Sequence, residues 1–562
     1  MRVPESIKHI SRQEKSKKVT ESLDILCRHK YTISIVMRLG VFAPLVSLTC
    51  VGVVLRHTQI TAMNQPHRIW VSTVNGVFGL KHNQDRWEGA GVSLIVDVDG
   101  KVTLESSTDP ISGIECVYGP GMAEKAQILG DAWERSYGTL HWASVDYDRQ
   151  MPWYFAAFDG KRTVCWGVNT GCNALASWRA GVEGIHLLLD IRSGNRPLVL
   201  KGRSLDLVTV HRAEGEQPFA TLHAFLKELC PHPRLPKQTV YGANDWYYAY
   251  GNNTAARLLD DSKRVSDLAS NMANRPFSVI DDGWQKPGVD EAGPGTAGND
   301  RFPDMPKLAH HISEAGCLPG IWIRPLQAAI KHPESWFMGN NSMDPSVPEV
   351  LANVRERVYR LHEWGYKLIK HDYSTYDVTG LWGFEMTDGM GSKGRTYADQ
   401  TRTTAEILLS LYRTIREAAG SSLLIGCNTV SHLSAGLFEI QRIGDDTSGQ
   451  EWARTVKMGV NALAFRSVQQ DAFYEADADC VGLTTKIAWE QNRQWLDLVS
   501  RSGTPLFVSA QAEALGAEQN KALKRAFELA AVKQPIAEPL DWMETRTPKK
   551  WKLMGETVSF DW

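Results

Sequence analysis

Lys370 and Asp372 stand two residues apart at the end of the apolar run Tyr366-Lys-Leu-Ile-Lys-His-Asp372. In a strand, residues i and i+2 share a face, so this ammonium and carboxylate would project together from the strand's C-terminal end. A neighbouring cation favours the ionised carboxylate. An ionised, positioned carboxylate suits nucleophilic attack, and glycoside hydrolysis uses carboxylates in this way. The plainer reading is an ion pair that closes a strand-to-helix loop. Alternation turns His371 away from that face, as a packing or supporting residue.

Other polar clusters follow other apolar runs: Asn244-Asp245-Trp246, Asp281-Asp282-Gly-Trp284, Arg324-Pro325, Cys427-Asn428, Arg442-Ile-Gly-Asp-Asp446 and Asp477-Ala-Asp-Cys480. A single Asp at such a junction is commonly a helix N-cap, and for Asp377 a loop acid or N-cap is the preferred reading. Carboxylates after four separate strands, alongside Lys, Arg and Trp, describe a pocket for a polyhydroxylated ligand. Trp246, Trp284 and Trp322 would either stack on a sugar ring or pack the core. A second carboxyl must protonate a leaving alcohol and then activate water. Asp446 is the candidate and Asp445 the alternative. Asp445 beside it would raise the pKa of Asp446, and Arg442 would oppose that shift.

These groups need a scaffold that brings strand ends together. Residues 66–236 read as a β-sandwich, with alternating runs such as Val92–Val98 and Leu187–Ile191 between turn residues. After the linker Pro231–Pro236 the period changes. Strand-like runs begin near Thr239, Phe277, Pro319, Tyr366, Leu423, Leu437, Ala462 and Thr504. Between them lie amphipathic helices over Ala255–Met272, Met305–Ala315, Val347–Trp364, Ala398–Ala418, Glu451–Val460 and Glu490–Arg501, with a last one over Glu518–Val532. Eight such units across 237–535 predict a (β/α)8 TIM barrel, an α/β fold whose functional groups stand at the C-terminal strand ends. A doubly wound sheet competes, but no glycine-rich phosphate loop follows any strand. Residues 536–562 would add a short C-terminal β extension.

The motifs resemble glycoside hydrolase clan D, the α-galactosidases (melibiases) of families 36 and 27, with raffinose-synthase-type relatives. Val279–Trp284, Pro319–Trp322, Leu368–Asp372, Arg442–Asp446 with Trp452, and Asp477–Leu483 carry the likeness. Gly130–Gly138, followed by Trp142, resembles part of the family 36 N-terminal β-domain. The resemblance implies a retaining α-galactosidase with Asp372 as nucleophile and Asp446 as acid/base. It implies that Lys370, Asp281, Asp282, Arg442 and Asp479 bind sugar hydroxyls and that Trp322 forms an aromatic wall. Cys427 and Asn428 would tune recognition at the sugar's second carbon. Two departures stand out: His371, where family 36 usually carries Trp, and a short C-terminal domain.

Composition narrows the alternatives. The 562 residues are 43% hydrophobic with a formal net charge of −2, which supplies no basic footprint for nucleic acid. Nine cysteines show no CxxC and no zinc-type spacing, so no metal is implied, and carboxylate chemistry needs no cofactor. Cys165 and Cys172 are close enough in sequence to pair, although reduced thiols are the default. Residues 1–65 form a polar leader with an apolar run over 39–55. That run fits an export signal or a membrane anchor, and hence a secreted, periplasmic or anchored protein; otherwise the protein is cytoplasmic. Four other readings remain: a raffinose-synthase-like transglycosylase, an α-glycosidase of the same clan with a different sugar specificity, a lysine Schiff-base enzyme built on Lys370, and an inactive carbohydrate-binding barrel. The sequence does not give the oligomeric state.

Overall fold

The computed structural model describes residues 65–286, 297–327, 332–339, 341–387 and 394–562. The apolar run over 39–55 lies outside them, and no helix among the described residues is long and apolar enough to cross a membrane.

Two antiparallel sheets come first. One has six strands in the order Met151–Pro152, Leu175–Ala180, Ile185–Asp190, Ile111–Tyr118, Arg68–Thr73 and Gly76–Gly79. The other has nine, from Lys81–Asn83 at one edge to Ala143–Ser144 at the other. Along Val92–Val96 and Ile185–Asp190 every second side chain is buried, as a sheet with one covered face requires. A helix, Pro218–Leu229, closes this part where the sequence reading expected only strands. Its Leu222, Phe225, Leu226 and Leu229 fall at helical spacing and are all buried.

A curled parallel sheet of nine strands follows. In chain order they are Tyr241–Asn244, Phe277–Ile280, Leu318–Ile323, Leu368–His371, Leu423–Gly426, Ile440–Arg442, Glu475–Asp477, Val481–Leu483 and Leu506–Ala510. The last pairs in parallel with the first. The two edge strands, Glu475–Asp477 and Val481–Leu483, are consecutive in the chain and separated by Ala478-Asp479-Cys480. Strands such as Phe277–Ile280 and Leu368–His371 are buried at every residue because helices cover the sheet.

Two expected elements are corrected. The apolar run at Ala462 is helix, not strand: Asn461–Arg466 continues Trp452–Thr455 through a π-helical turn at Val456–Val460. All six of its residues are buried, so the run has no polar face to reveal its period. The helix expected from Ala398 starts at Thr404. Thr403 caps it, accepting from the Glu406 amide at 3.0 Å, while the Glu406 carboxylate accepts from the Thr403 amide at 2.9 Å.

The tail forms a three-stranded antiparallel sheet of Glu538–Pro539, Lys550–Leu553 and Glu556–Ser559. Cys165 and Cys172 are both buried free thiols.

The segment 131–137 fastens the antiparallel sheets to the parallel one. The Ser136 amide donates to the Ile443 carbonyl at 2.9 Å, and the Asp445 amide donates to the Ser136 carbonyl at 2.8 Å. Gly444 lies between them, where a Cβ would stand 2.6 Å from the Ala462 side chain. Beneath, Arg466 Nη2 donates to Asp131 Oδ2 at 3.1 Å, and Gln469 Nε2 donates to the same oxygen at 3.0 Å. Both members of the Arg466–Asp131 pair are essentially inaccessible to solvent. Asp131→Ala would strand a buried guanidinium and is expected to cost about 3–5 kcal/mol. Urea denaturation checks this, and a loss below about 1 kcal/mol would show that the pair does not hold the two parts together.

Candidate active site

Asp372 follows the fourth parallel strand directly, and its amide still donates to the Ile323 carbonyl of the third strand at 3.0 Å. One carboxylate oxygen accepts from the Trp322 indole N–H at 3.1 Å. The other accepts from the backbone N–H of Tyr373 at 2.7 Å. Tyr373 has φ 64°, which a non-glycine residue adopts at a cost. The guanidinium carbon of Arg324 sits 4.2 Å from the Tyr373 ring centroid. Arg324 is gripped by Asp377 through Nε at 2.9 Å and Nη2 at 2.6 Å. The buried Asp377 is therefore an anchor for Arg324, not the loop acid or N-cap preferred from sequence. Both residues support the turn that presents the Asp372 carboxylate.

Lys370 differs from the sequence expectation. Its ammonium pairs with Asp281 Oδ2 at 2.6 Å, across two strands, rather than with Asp372 two residues away. Asn244 Nδ2 donates to the same Asp281 oxygen at 2.7 Å. Burial alone would lower the Lys370 pKa, but the surrounding carboxylates, Asp281 first, hold it well above the ordinary lysine value. Asp282, beside them, accepts from Gln285 Nε2 at 2.6 Å, and burial pushes its carboxyl up. Asp245 is the floor of this corner: its carboxylate accepts from the Asp281 amide at 2.7 Å and from Asn253 Nδ2 at 2.6 Å. Burial, reinforced by Asp281, raises the Asp245 pKa to about 7.

Across the pocket, Arg442 is 1% exposed. Its Nη2 contacts Asp446 Oδ1 at 2.9 Å and Asp479 Oδ2 at 2.5 Å. Asp479 also accepts from the Tyr247 hydroxyl and from the amide and hydroxyl of Thr447. The structure thus places Asp479 beneath Arg442, with its exposed oxygen surface nearly gone. Asp446 keeps 40% of its side chain exposed, against 14% for Asp445. Asp445 has both oxygens paired at 2.9 Å, one to Arg135 and one to Arg454. Burial tends to raise the Asp446 pKa. The cations of Arg442, Arg135 and Lys370 outweigh that and hold it below the ordinary carboxylate value, so the rise expected from Asp445 does not prevail.

Several sequence candidates are structural. Trp284 is 1% exposed; its indole N–H donates to the Trp322 carbonyl at 2.9 Å and its ring packs edge-on against Trp364. It fills the core rather than walling the pocket. Asn428 is fully buried and binds Glu134 and the Tyr376 amide. Cys427 lies under two guanidiniums, 3.8 Å from Arg135 Nη1 and 3.7 Å from Arg442 Nη1, and burial pushes its thiol pKa well up. Trp246 is half-buried beside Tyr250. Trp322 is 3% exposed and reaches the site through its indole N–H.

Arg135, Glu134 and Tyr247 were missed. Arg135 comes from the antiparallel-sheet part yet touches Cys427, Asp445 and Asp446. The available hint was two charges, Glu134-Arg135, inside the aromatic segment 130–138.

No family model matches this chain. Solved structures do resemble it. An α-galactosidase from Thermus thermophilus in complex with p-nitrophenyl α-D-galactopyranoside is 18% identical, over 88% of this chain and 98% of that one, with TM-score 0.56. A variant of the GH36 α-galactosidase AgaA from Geobacillus stearothermophilus, bound to 1-deoxygalactonojirimycin, is 13% identical over 86% and 78%, with TM-score 0.60. AgaB from the same organism gives 13%, 82%, 74% and 0.57. At these identities the likeness shows the fold: this chain is built like a GH36 α-galactosidase.

Two outcomes follow. The native state holds its Asp245 proton up to about pH 7, whereas an unfolded aspartate releases it near 3.8. Between those values the folded state binds more protons, so stability falls as pH rises. Asp245→Asn should flatten that decline in denaturation midpoints measured from pH 4 to 8; an unaltered slope would contradict it. His371 is fully buried between Tyr412 and Phe438, and burial lowers its pKa to about 3. Neither ring nitrogen finds a hydrogen-bond partner among the described residues. His371→Phe should therefore raise the unfolding free energy by about 1 kcal/mol, and a loss of that size would show an unseen polar role.

Proposed function

We propose that this protein is a retaining α-glycosidase that removes terminal α-galactosyl residues through a covalent glycosyl-aspartate intermediate. The observation that carries the proposal is Asp372, a carboxylate fixed at a strand end by Trp322 and Tyr373, together with the arginine-held Asp446, which keeps 40% of its side chain exposed. The likeness to GH36 α-galactosidases supports galactose as the sugar. In this reading the curled sheet is a (β/α)8 barrel whose seventh strand is interrupted at Ala478-Asp479-Cys480.

The chemistry is a double displacement. Asp372 attacks the anomeric carbon as the glycosidic C–O bond breaks, and Asp446 gives its proton to the departing oxygen. Water then attacks the same carbon, Asp446 takes its proton, and the ester to Asp372 breaks, leaving α-galactose. Arg442, Arg135 and Lys370 hold Asp446 below the ordinary carboxylate value and so ionised, the form that activates water. The acid step requires a bound glycoside to raise it by displacing water from its exposed side. Asp445, paired on both oxygens, is the weaker candidate for this role. Lys370, Asp281 and Asp282 form the hydroxyl-binding corner. A Schiff-base role for Lys370 is disfavoured because its ammonium is locked to Asp281 and held protonated.

A panel of p-nitrophenyl α-glycosides, with NMR of the first-formed anomer, tests this. Wild type should cleave the α-galactoside with retention, and Asp372→Asn or Asp446→Asn should lose several orders of magnitude. Normal turnover by Asp372→Asn, or release of the β-anomer first, would refute the mechanism. Cleavage of a different α-glycoside alone would refute the sugar assignment.

A further inference from the structure

The active site uses none of the residues that line a groove of about 250 Å³ on the outer face of the six-stranded sheet. Cross-strand register builds this groove. Trp70 stands opposite Gly79 on one side and Glu115 on the other, and Leu188 follows opposite Glu115. The next row runs through Val77, Ser72, Gly113 and Asp190. Residues two apart in a strand share a face, so both rows point away from the buried Ile69, Val71, Leu187 and Leu189. Four strands at ~4.8 Å spacing make the second row about 14 Å long.

A Cβ placed on Gly79 would stand 3.4 to 3.5 Å from three atoms of the Trp70 six-membered ring, so the indole covers that glycine. A tryptophan over a strand glycine is often packing alone. This one keeps 40% of its surface in solvent and borders a set of ordered polar groups. Asp190 accepts from Arg192 Nε at 2.9 Å and from Nη2 at 2.6 Å, with only 6% of its side chain exposed. His186 Nδ1 lies 2.6 Å from Glu115. Both carboxylates of the groove therefore have partners inside the protein. A free anion would meet those carboxylates, and a cation would compete with Arg192 and His186. The charge arrangement matches a neutral ligand, and the remaining lone pairs of the two carboxylates are free to accept hydroxyls.

We propose that this groove binds a neutral polysaccharide chain, with one pyranose stacked on Trp70 and its hydroxyls held by Ser72, Glu115 and the Asp190–Arg192 pair. A pyranose offers an apolar C–H face to the indole and hydroxyls to the charged groups, matching both kinds of contact along the rows. A second attachment point of this kind keeps the protein on a polymer and raises the local concentration of its chain ends. Binding is read without turnover, so the inference stands apart from the glycosidase reading.

Electrophoresis through native gels containing galactomannan, xyloglucan or polygalacturonate tests it, with excess galactose present to occupy the active site. Wild type should be retarded by at least one of the two neutral polymers and not by polygalacturonate. Trp70→Ala should weaken that retention roughly ten-fold, and Trp70→Tyr should restore most of it. Val77→Arg, at a position 64% exposed, should fill the groove and abolish retention, and it carries the test if Trp70→Ala does not fold. Retention by neither neutral polymer, or retention unchanged in the variants, overturns the site. Retention by polygalacturonate alone overturns the neutral assignment. Self-association of wild type that Trp70→Ala abolishes would overturn the sugar and give this face to a second copy of the chain.

Discussion

A charge taken out of water must be paired, and Arg442 meets that requirement at the centre of the site. Its guanidinium is 1% exposed and lies among Asp446, Asp479, the Tyr247 hydroxyl and the Cys427 thiol. Removing one partner from such a set leaves an uncompensated buried charge. The first, fifth, sixth and seventh parallel strands are therefore held in register around one cation. Lys370 and Asp281 repeat the arrangement on the opposite side of the pocket. Asp446 lies in the field of both cations and Asp372 in that of Lys370, so the charges around the two carboxylates are already set. Preorganised charge of this kind costs little reorganisation when new charge develops.

The part built of antiparallel sheets completes this arrangement rather than merely covering it. Arg135 adds a second guanidinium over Cys427, and Glu134 reaches beneath it to Asn428 and Gly383. These contacts bridge 249 to 294 residues of sequence, and the Ser136–Gly444 backbone pairing fixes their register. The site therefore depends on docking as well as on strand ends.

What the sequence disclosed follows from locality. Buried parallel strands are short apolar runs that end abruptly in polar residues, so Asp281, Lys370, Asp372, Arg442 and Asp446 could be placed on strand ends by pattern alone. Three things could not. The helix at Asn461–Arg466 is apolar on every side and carries no period. The partner of Lys370 was assigned by proximity in sequence to Asp372, whereas the structure pairs it with Asp281 across the sheet. Arg135 reaches the site only through the packing of the antiparallel sheets on the parallel one, which no local pattern encodes. Trp284 and Asn428 show the reverse error: residue types that suit sugar binding, used instead to pack and to fasten.

The central claim is that Asp372 forms a bond to the sugar. Incubation with 5-fluoro-α-galactosyl fluoride, which slows breakdown of a glycosyl-enzyme, followed by intact-mass and peptide mapping, addresses it directly. The account predicts one fluorogalactosyl group per chain, on the peptide that contains Asp372. A label on any other carboxylate, or turnover of the reagent at saturating concentration with no covalent species, would contradict it.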